Sequence, residues 1–536
     1  LGAERDSVRV ELPVNKPRVK TTRLLGRGKL DGGARAAIAV APGSGALPDE
    51  SEVAITIDRT GLGDLEPSLK YLVEYPYGCL EQTMSRFLPL AKAKDLTASM
   101  KLASLSGTKA DVFLAAGAAK VIRHQQGDGH FSLWPQSQTY PHLTAYALFG
   151  LREAEKAGVA VPADVFERGK QALTSWVATD AAWKPDQLAI VAMTAYLFAR
   201  DGAPDHGVIA RLYDQRAAVP TWGLAFLARA MFAAKTDAKQ LAEVKKLIAA
   251  AAMPSGADGA MIPDNAADPS VHMGSSARAT AMTLAALLEI APGDPLVQPL
   301  LRGLDGARDI AGRWGSTQDN LWALIAFADY ARRASAGSTT VTVTSGRRTL
   351  GTETLSGGAA AIVRVPLAAI DGGEIAIKAT SPVHYRARMT EVSKDAGAAI
   401  ASGFVVTREY LGSDKKPKTT FAAGELVTVR LTVTSLAPRR WIAMVDPLPA
   451  GFEPVNPRLA AGGGGGARPW YWTHQELKDD QVRWFADWMS SGTTVMSYQA
   501  RATIDGSFLA GPTTIEAMYE PTVMGRSAAA LVTVTP

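Results

Sequence analysis

Apolar and polar residues alternate with a period of two at the start of the chain, in SVRVELPV (7–14), RAAIAVAPG (35–43) and SEVAITIDR (51–59), with Gly and Pro between the runs. That alternation turns one face of each segment to a core and the other to water, so it predicts half-buried strands. From about residue 66 the texture changes to Ala- and Leu-rich stretches with helical spacing, such as DVFLAAGAAKVIRHQ (111–125), AIVAMTAYLFARDG (189–202) and TWGLAFLARAMFAA (221–234). After ARRASAGS (331–338) the period of two returns in TTVTVTSGRRTL, AAIVRVPL and EIAIKATS, and again in ELVTVRLTVTS and ALVTVTP near the end. The pattern predicts a helical block set between two β regions.

The helical block carries an echo. A Gly-x-aromatic turn leads into a helix rich in Leu, Ala and Thr at 127–151 and at 312–327, and more weakly at 258–265 before SSARATAMTLAALLEI. Turn-plus-helix units that recur in this way predict stacked helical hairpins closed into a ring of inner and outer helices. SKDAGAAIASG (393–403) reads as a domain boundary, and GGGGG (462–466) as a flexible loop tip. No Gly-Lys-Ser/Thr follows those glycines, so they are not a phosphate cradle.

Length and composition narrow the functional classes. A chain of 536 residues is too long for one core, and 47% hydrophobic with 20% charged residues is ordinary globular composition. The net charge of +5 is small and the basic residues are scattered, which argues against nucleic acid as a partner. No run of about 18 uncharged apolar residues occurs, and no charged-then-apolar leader opens the chain at Leu1, so the expectation is a fragment or processed product.

The single cysteine lies in YPYGCLEQT (75–83), three residues before Gln82 and where a helix begins. Three readings are open. A lone cysteine is often a small buried hydrophobe. A catalytic thiol needs a base, and the candidates are distant in sequence: His124, His130 and His142. The third reading uses the spacing, because residues i and i+3 share one face of a helical turn. The Cys79 thiol then reaches the Gln82 carboxamide and displaces ammonia, which gives an internal thioester that lasts only in a dry setting.

The flanks carry a resemblance. Tyr-Pro-Tyr-Gly before Cys79, Leu80 between Cys79 and Glu81, and Thr83-x-x-Arg86 after the glutamine resemble the thioester segment of bacterial members of the alpha-2-macroglobulin and complement family. SLKYLVEYPYGCLEQT (68–83) resembles the opening of that family's thioester-containing helical domain, and WGSTQDNLWAL (314–324) its closing hairpin. DPLPAGFEPVNP (446–457) and EAMYEPTVMGRSAAALVTV (516–534) are similar to the C-terminal macroglobulin-like sandwich.

The resemblance implies a multidomain α and β chain. Residues 1–65 and 337–395 are then two halves of a CUB-type β domain, into which a thioester-containing α/α toroid (66–336) is inserted. A C-terminal macroglobulin-like β-sandwich (396–536) follows. It further implies the C-terminal part of a larger protease inhibitor, joined to upstream macroglobulin domains and a bait region. Attacking proteases are trapped through their lysine amines at the Gln82 carbonyl, in one turnover and not as an enzyme, with no cofactor and no metal.

On the same grounds Tyr519, with Met518, is the expected thioester shield, while Tyr75 and Tyr77 give further cover. Glu81 is either a proton carrier for the bond or a solvated first-turn carboxylate favoured by the helix dipole. The place at which hydroxyl-directed complement members carry an acyl-accepting histidine falls between His142 and His206, where no histidine stands, so direct aminolysis is expected. Location is expected to be periplasmic, with an inner-membrane lipid anchor outside this chain.

Two other classes remain at this stage. Terpenoid cyclases and prenyltransferases also use rings of helical hairpins, but no Asp-Asp-x-x-Asp or zinc-ligand set accompanies them here. The alternative within the family is a structural or adhesive envelope protein in which the thioester is not used.

Overall fold

The computed structural model describes residues 18–60, 64–99, 108–179, 183–256, 258–333, 337–357, 360–393, 398–456 and 472–536. SVRVELPV and the glycine run lie outside the described residues. Among these residues no helix is long and apolar enough to cross a membrane. The chain divides into two compact units, one of Thr21–Glu391 and a C-terminal one that contains Val392–Pro536.

Twelve helices of the first unit are described: α1 (Glu66–Glu74), α2 (Leu80–Ser99), α3 (Thr108–Ile122), α4 (Pro141–Lys156), α5 (Ala163–Thr179), α6 (Pro185–Arg200), α7 (His206–Asp214), α8 (Thr221–Ala233), α9 (Ala238–Ala251), α10 (Ser276–Ile290), α11 (Val297–Gly306) and α12 (Thr317–Ala331). The even-numbered helices pack in succession, α2 on α4, α6, α8, α10 and α12, and α12 closes on α2. Each odd-numbered helix packs outside an even-numbered one.

Sequence explains the two layers. The inner α8 reads TWGLAFLARAMFA and is apolar nearly all round, as a helix packed on both sides must be. The outer α9, AKQLAEVKKLIAAA, buries only Val244 and Ile248 on one stripe. The Gly-aromatic turns at 127–151, 258–265 and 312–327 each lead into an inner helix, namely α4, α10 and α12. Two of these turns form short two-stranded ribbons, Phe131–Ser132 with Thr139–Tyr140 and Met253–Ser255 with Gly259–Met261, which the helical periodicity does not predict. Such pieces are too short to show an alternation.

Strands from both sides of the helical block make a sandwich in the same unit. Glu52–Asp58 lies antiparallel between Ala360–Pro366 and Val383–Ser393, with Val19–Leu30 outside. The facing sheet orders Arg35–Ala39, Glu374–Ala379, Ser338–Ser345 and Arg348–Ser356. Val53, Ile55, Ile57, Val343, Ile375 and Ile377 fill the space between them. These are the inward positions of the period-two pattern.

A cluster of charges ties this sandwich to the ring. Asp64, just before α1, takes two hydrogen bonds from Arg388, one of them Nη1 to Oδ1 at 2.9 Å, and one from Arg386 at 3.1 Å. Arg308, after α11, donates to the Asp64 carbonyl, and Asp305 pairs with both Arg386 and Arg308 at 3.1 Å. Burial raises the Asp64 carboxyl, but the hydrogen bond and charge of Arg388, with Arg308 and Arg386, outweigh it and bring it down to about 2.

Among the described residues the C-terminal unit is all β. Its four-stranded sheet orders Phe404–Leu411, Leu426–Ser435, Gly492–Ala502 and Phe452–Pro454. Its six-stranded sheet includes Arg439–Pro447 between Thr514–Ala517 and Gln481–Met489. Val427, Val429, Leu431 and Val433 alternate inward along one strand and meet Ile442, Met444 and Trp484 in one core. Asp446 is buried in that core and accepts from Arg408 at 2.7 Å, Tyr498 at 2.7 Å and Thr513 at 2.6 Å.

Candidate thioester site

Cys79 stands immediately before α2, and Gln82 is the third residue of that helix. The Cys79 carbonyl accepts the Thr83 N–H at 2.9 Å, which starts the helix. One turn therefore brings thiol and carboxamide together: Cys79 Sγ lies 2.9 Å from Gln82 Oε1, and the Gln82 N–H points back at Sγ from 3.5 Å. Cys79, Glu81 and Gln82 are all wholly buried.

The turn is clamped by the neighbouring connection between α3 and α4. Leu80 N–H donates to the Leu133 carbonyl at 2.9 Å, and Leu133 belongs to the Gly-aromatic turn before α4. That turn is held in place by His124, whose Nδ1 lies 3.2 Å from the Ser132 carbonyl, and by Ser132 Oγ, which donates to Trp134 at 2.7 Å. His130 sits with its Nδ1 3.0 Å from Thr144 Oγ1. His142 stacks edge-on against His272 with ring centroids 5.0 Å apart. All three histidines lie in the packing of the ring.

Glu81 corrects one expectation. A solvated carboxylate does not fit a side chain that is 0% exposed and lies on the inner side of the ring. Thr317 Oγ1 donates to its two oxygens at 2.9 and 3.0 Å, Gln318 Nε2 donates at 2.8 Å, and Ser85 Oγ makes a short bond from one turn along α2. Gln318 Nε2 also donates to Tyr146 of α4 at 3.0 Å. Burial, then the Glu81 charge, push the Tyr146 hydroxyl well above its ordinary value.

The same two causes act on the thiol. Burial first, and the neighbouring Glu81 charge second, push Cys79 well above its ordinary value, against the Gln82 and Glu81 backbone N–H groups and the charge of Lys120. A neutral, buried thiol with its carboxamide partner in contact suits a condensation between the two. It is a poor setting for a free thiolate nucleophile.

The hollows of the first unit do not compete with this site. A cavity of about 30 Å³ at the centre of the ring is lined by His142, Tyr146, Trp222, His272, Arg278 and Gln318, and it adjoins the Glu81 network. Two wider ones, about 480 and 610 Å³, border α5 and include neither Cys79 nor Gln82. Among the described residues no group of three or more His, Cys, Asp or Glu is placed to hold a metal ion.

Two family models match the chain: an A-macroglobulin TED domain over residues 55–178, which contains Cys79 and Gln82, and a bacterial alpha-2-macroglobulin MG10 domain over 403–522. The chain resembles the bacterial alpha-2-macroglobulins over nearly its whole length. It is 26% identical to an alpha-2-macroglobulin of Xylella fastidiosa over 91% of its own length and 31% of that protein, and 26% identical to that of Escherichia coli over 84% and 28%. It thus spans about a third of the length of these curated relatives.

Solved members of the alpha-2-macroglobulin family share the fold. The native Escherichia coli protein from domain MG7 to the C-terminus matches 97% of this chain and 82% of its own, with a TM-score of 0.79 at 22% identity. A Salmonella alpha-2-macroglobulin reacted with methylamine matches 97% and 34%, with a TM-score of 0.78 at 24% identity.

The remaining expected site residues fall in two places. Tyr75 and Tyr77 lead into α2, both buried, with ring centroids 5.2 Å apart in an edge-to-face pair, and Tyr71 of α1 extends the run at a further 5.2 Å. Met518 and Tyr519 form the turn between Thr514–Ala517 and Glu520–Arg526 of the C-terminal unit, where Met518 N–H donates to the Trp441 carbonyl at 2.9 Å. Sequence reading missed Ser85, Tyr146, Thr317 and Gln318. Thr317 and Gln318 lie within WGSTQDNLWAL, a segment that carries a capping signal, Ser316 with Asp319, but no hint of which carboxylate the helix start meets.

Proposed function

We propose that Cys79 and Gln82 form an internal thioester, and that this chain is the thioester-bearing part of a protease-trapping alpha-2-macroglobulin. The observation that carries the proposal is the contact of Cys79 Sγ with the Gln82 carboxamide, 2.9 Å from Oε1, in a wholly buried turn. Sulfur adds to Gln82 Cδ, the C–N bond breaks, and the thiol proton leaves with the nitrogen as ammonia. Glu81 carries that proton; its place beside Cys79 in the chain and the Ser85 hydrogen bond to its carboxylate support this role.

An amine then reverses the activation. It adds to Cδ, the C–S bond breaks, the amine proton ends on sulfur, and an amide remains. In the whole protein the amine is a lysine of the target protease, released onto the thioester after cleavage upstream. Tyr519 and Met518 shield the bond from water, helped by Tyr75 and Tyr77. Burial of Cys79 and Gln82 supports this reading, because an activated acyl group survives only where water is excluded. The strands on both sides of the ring act as one CUB-type unit, and the protein works in the periplasm, tethered upstream by lipid.

Intact mass tests the bond itself. The native chain is expected to be lighter by one ammonia than the sequence requires, to show no titratable thiol, and to gain one on treatment with methylamine, the amine with which the Salmonella neighbour reacted. A full-mass chain with a reactive thiol in untreated native protein would falsify the thioester and leave the structural or adhesive reading.

A further inference from the structure

Gly78, the residue before the cysteine, is packed against a charge. A Cβ at that position would stand 2.4 Å from Lys120 Nζ, so the ammonium lies close against the Gly78 backbone, at the end of a flexible side chain. Lys120 reaches the peptide from the last turn of α3, the outer helix packed on α2, and is half-buried there. The other charged and titratable groups about the turn come from three directions. Glu81 on α2 is held by Ser85 and by Thr317 and Gln318 of α12. Tyr146 of α4 lies behind Gln318, and His124, just past the end of α3, is engaged with the Ser132 carbonyl.

Charge is the difficulty of the opening step. When an amine displaces sulfur from the Gln82 acyl carbon, the electron pair of the broken C–S bond stays on Cys79. This happens in a wholly buried place beside the Glu81 carboxylate, both of which oppose a thiolate. Lys120 is the side chain whose charge acts in the favourable direction there.

We infer that the Lys120 ammonium, seated against Gly78, is the counter-charge for the Cys79 thiolate released when the thioester opens. Lys120 keeps its proton throughout; the amine proton passes to sulfur after the acyl transfer. Lys120 is thus a positioning residue for the leaving group, and the assignment rests on the thioester reading above.

The test uses the whole chain with methylamine as the probe, and reads two quantities. Lys120→Gln is expected to release thiol several-fold to about tenfold more slowly than wild type. The pH midpoint for iodoacetamide alkylation of its freed Cys79 is expected to rise by about one unit. Lys120→Arg, which keeps the charge, should hold both quantities near those of wild type. Lys246→Gln, on the exposed face of α9, should change neither quantity. Wild-type release rates and midpoints in Lys120→Gln overturn the inference and leave the thioester standing. A wild-type chain that releases no thiol overturns the thioester reading, and this inference with it.

Discussion

Replacing Asp64 by Asn removes one negative charge from a site where three arginines converge. The Asp64 side chain is only 4% exposed, that of Arg308 2% and that of Arg388 7%. Breaking a buried pair by removing one partner costs about 3–5 kcal/mol, because the other charge is left without compensation. Linkage gives a second, independent magnitude. The carboxyl moves from its ordinary 3.8 to about 2, and a displacement of this size at 1.36 kcal/mol per unit corresponds to about 2.5 kcal/mol.

The folded value is the lower one, so this stabilisation is fully present above pH 3.8 and drains away as pH falls towards 2. Urea unfolding of wild type and Asp64→Asn in parallel, at pH 7 and at pH 2 to 3, cancels the other acidic groups. The gap between them should be about 3–5 kcal/mol at neutral pH and should narrow by about 2 kcal/mol in acid. A variant as stable as wild type at pH 7, or a gap that does not change with pH, would refute the claim that Asp64 holds the sandwich to the ring by charge.

Other outcomes follow from the same structure. Glu81→Gln should fold, form less of the ammonia-lighter species by intact mass, and free a thiol that alkylates at lower pH than in wild type, since burial still acts on Cys79 but the adjacent charge is gone. Tyr519→Ala should lose its thioester to methylamine markedly faster than wild type, whereas Val495→Ala, at an exposed strand position, should not; equal rates for Tyr519→Ala and wild type would place the shield elsewhere. Asp446→Asn strands Arg408 in the C-terminal core and should cost that unit about 3–5 kcal/mol in urea unfolding followed by tryptophan fluorescence; a loss below 1 kcal/mol would show the pair to be dispensable.

The parts of this molecule that were legible beforehand are those governed by local repetition. Alternation along ELVTVRLTVTS places Val427, Val429, Leu431 and Val433 in a core whatever they meet across it. An all-round apolar stretch such as TWGLAFLARAMFA implies a helix packed on both sides, and the Cys79–Gln82 contact follows from a single turn. Partners that come from far along the chain left no such trace. Nothing about Thr317 or Gln318 indicates that they face Glu81, because that meeting depends on how α12 returns to α2. Lys120 was equally silent, since its approach to Gly78 depends on how α3 packs on α2. Of the two readings of Glu81, the solvated one falls for the same reason, as the helix dipole is a local rule and burial is not.

Closure of the ring also imposes an order in time. Glu81 receives its hydroxyl and amide donors from residues 236 and 237 positions later, roughly 12 to 50 seconds of synthesis at the usual rate of chain growth. Until those residues arrive, Glu81 lacks the donors that hold it, and the cysteine and glutamine lack the last wall of their enclosure. The proposed bond is thereby expected to form only in a nearly finished ring, where a nascent chain has little chance to acylate itself or its neighbours.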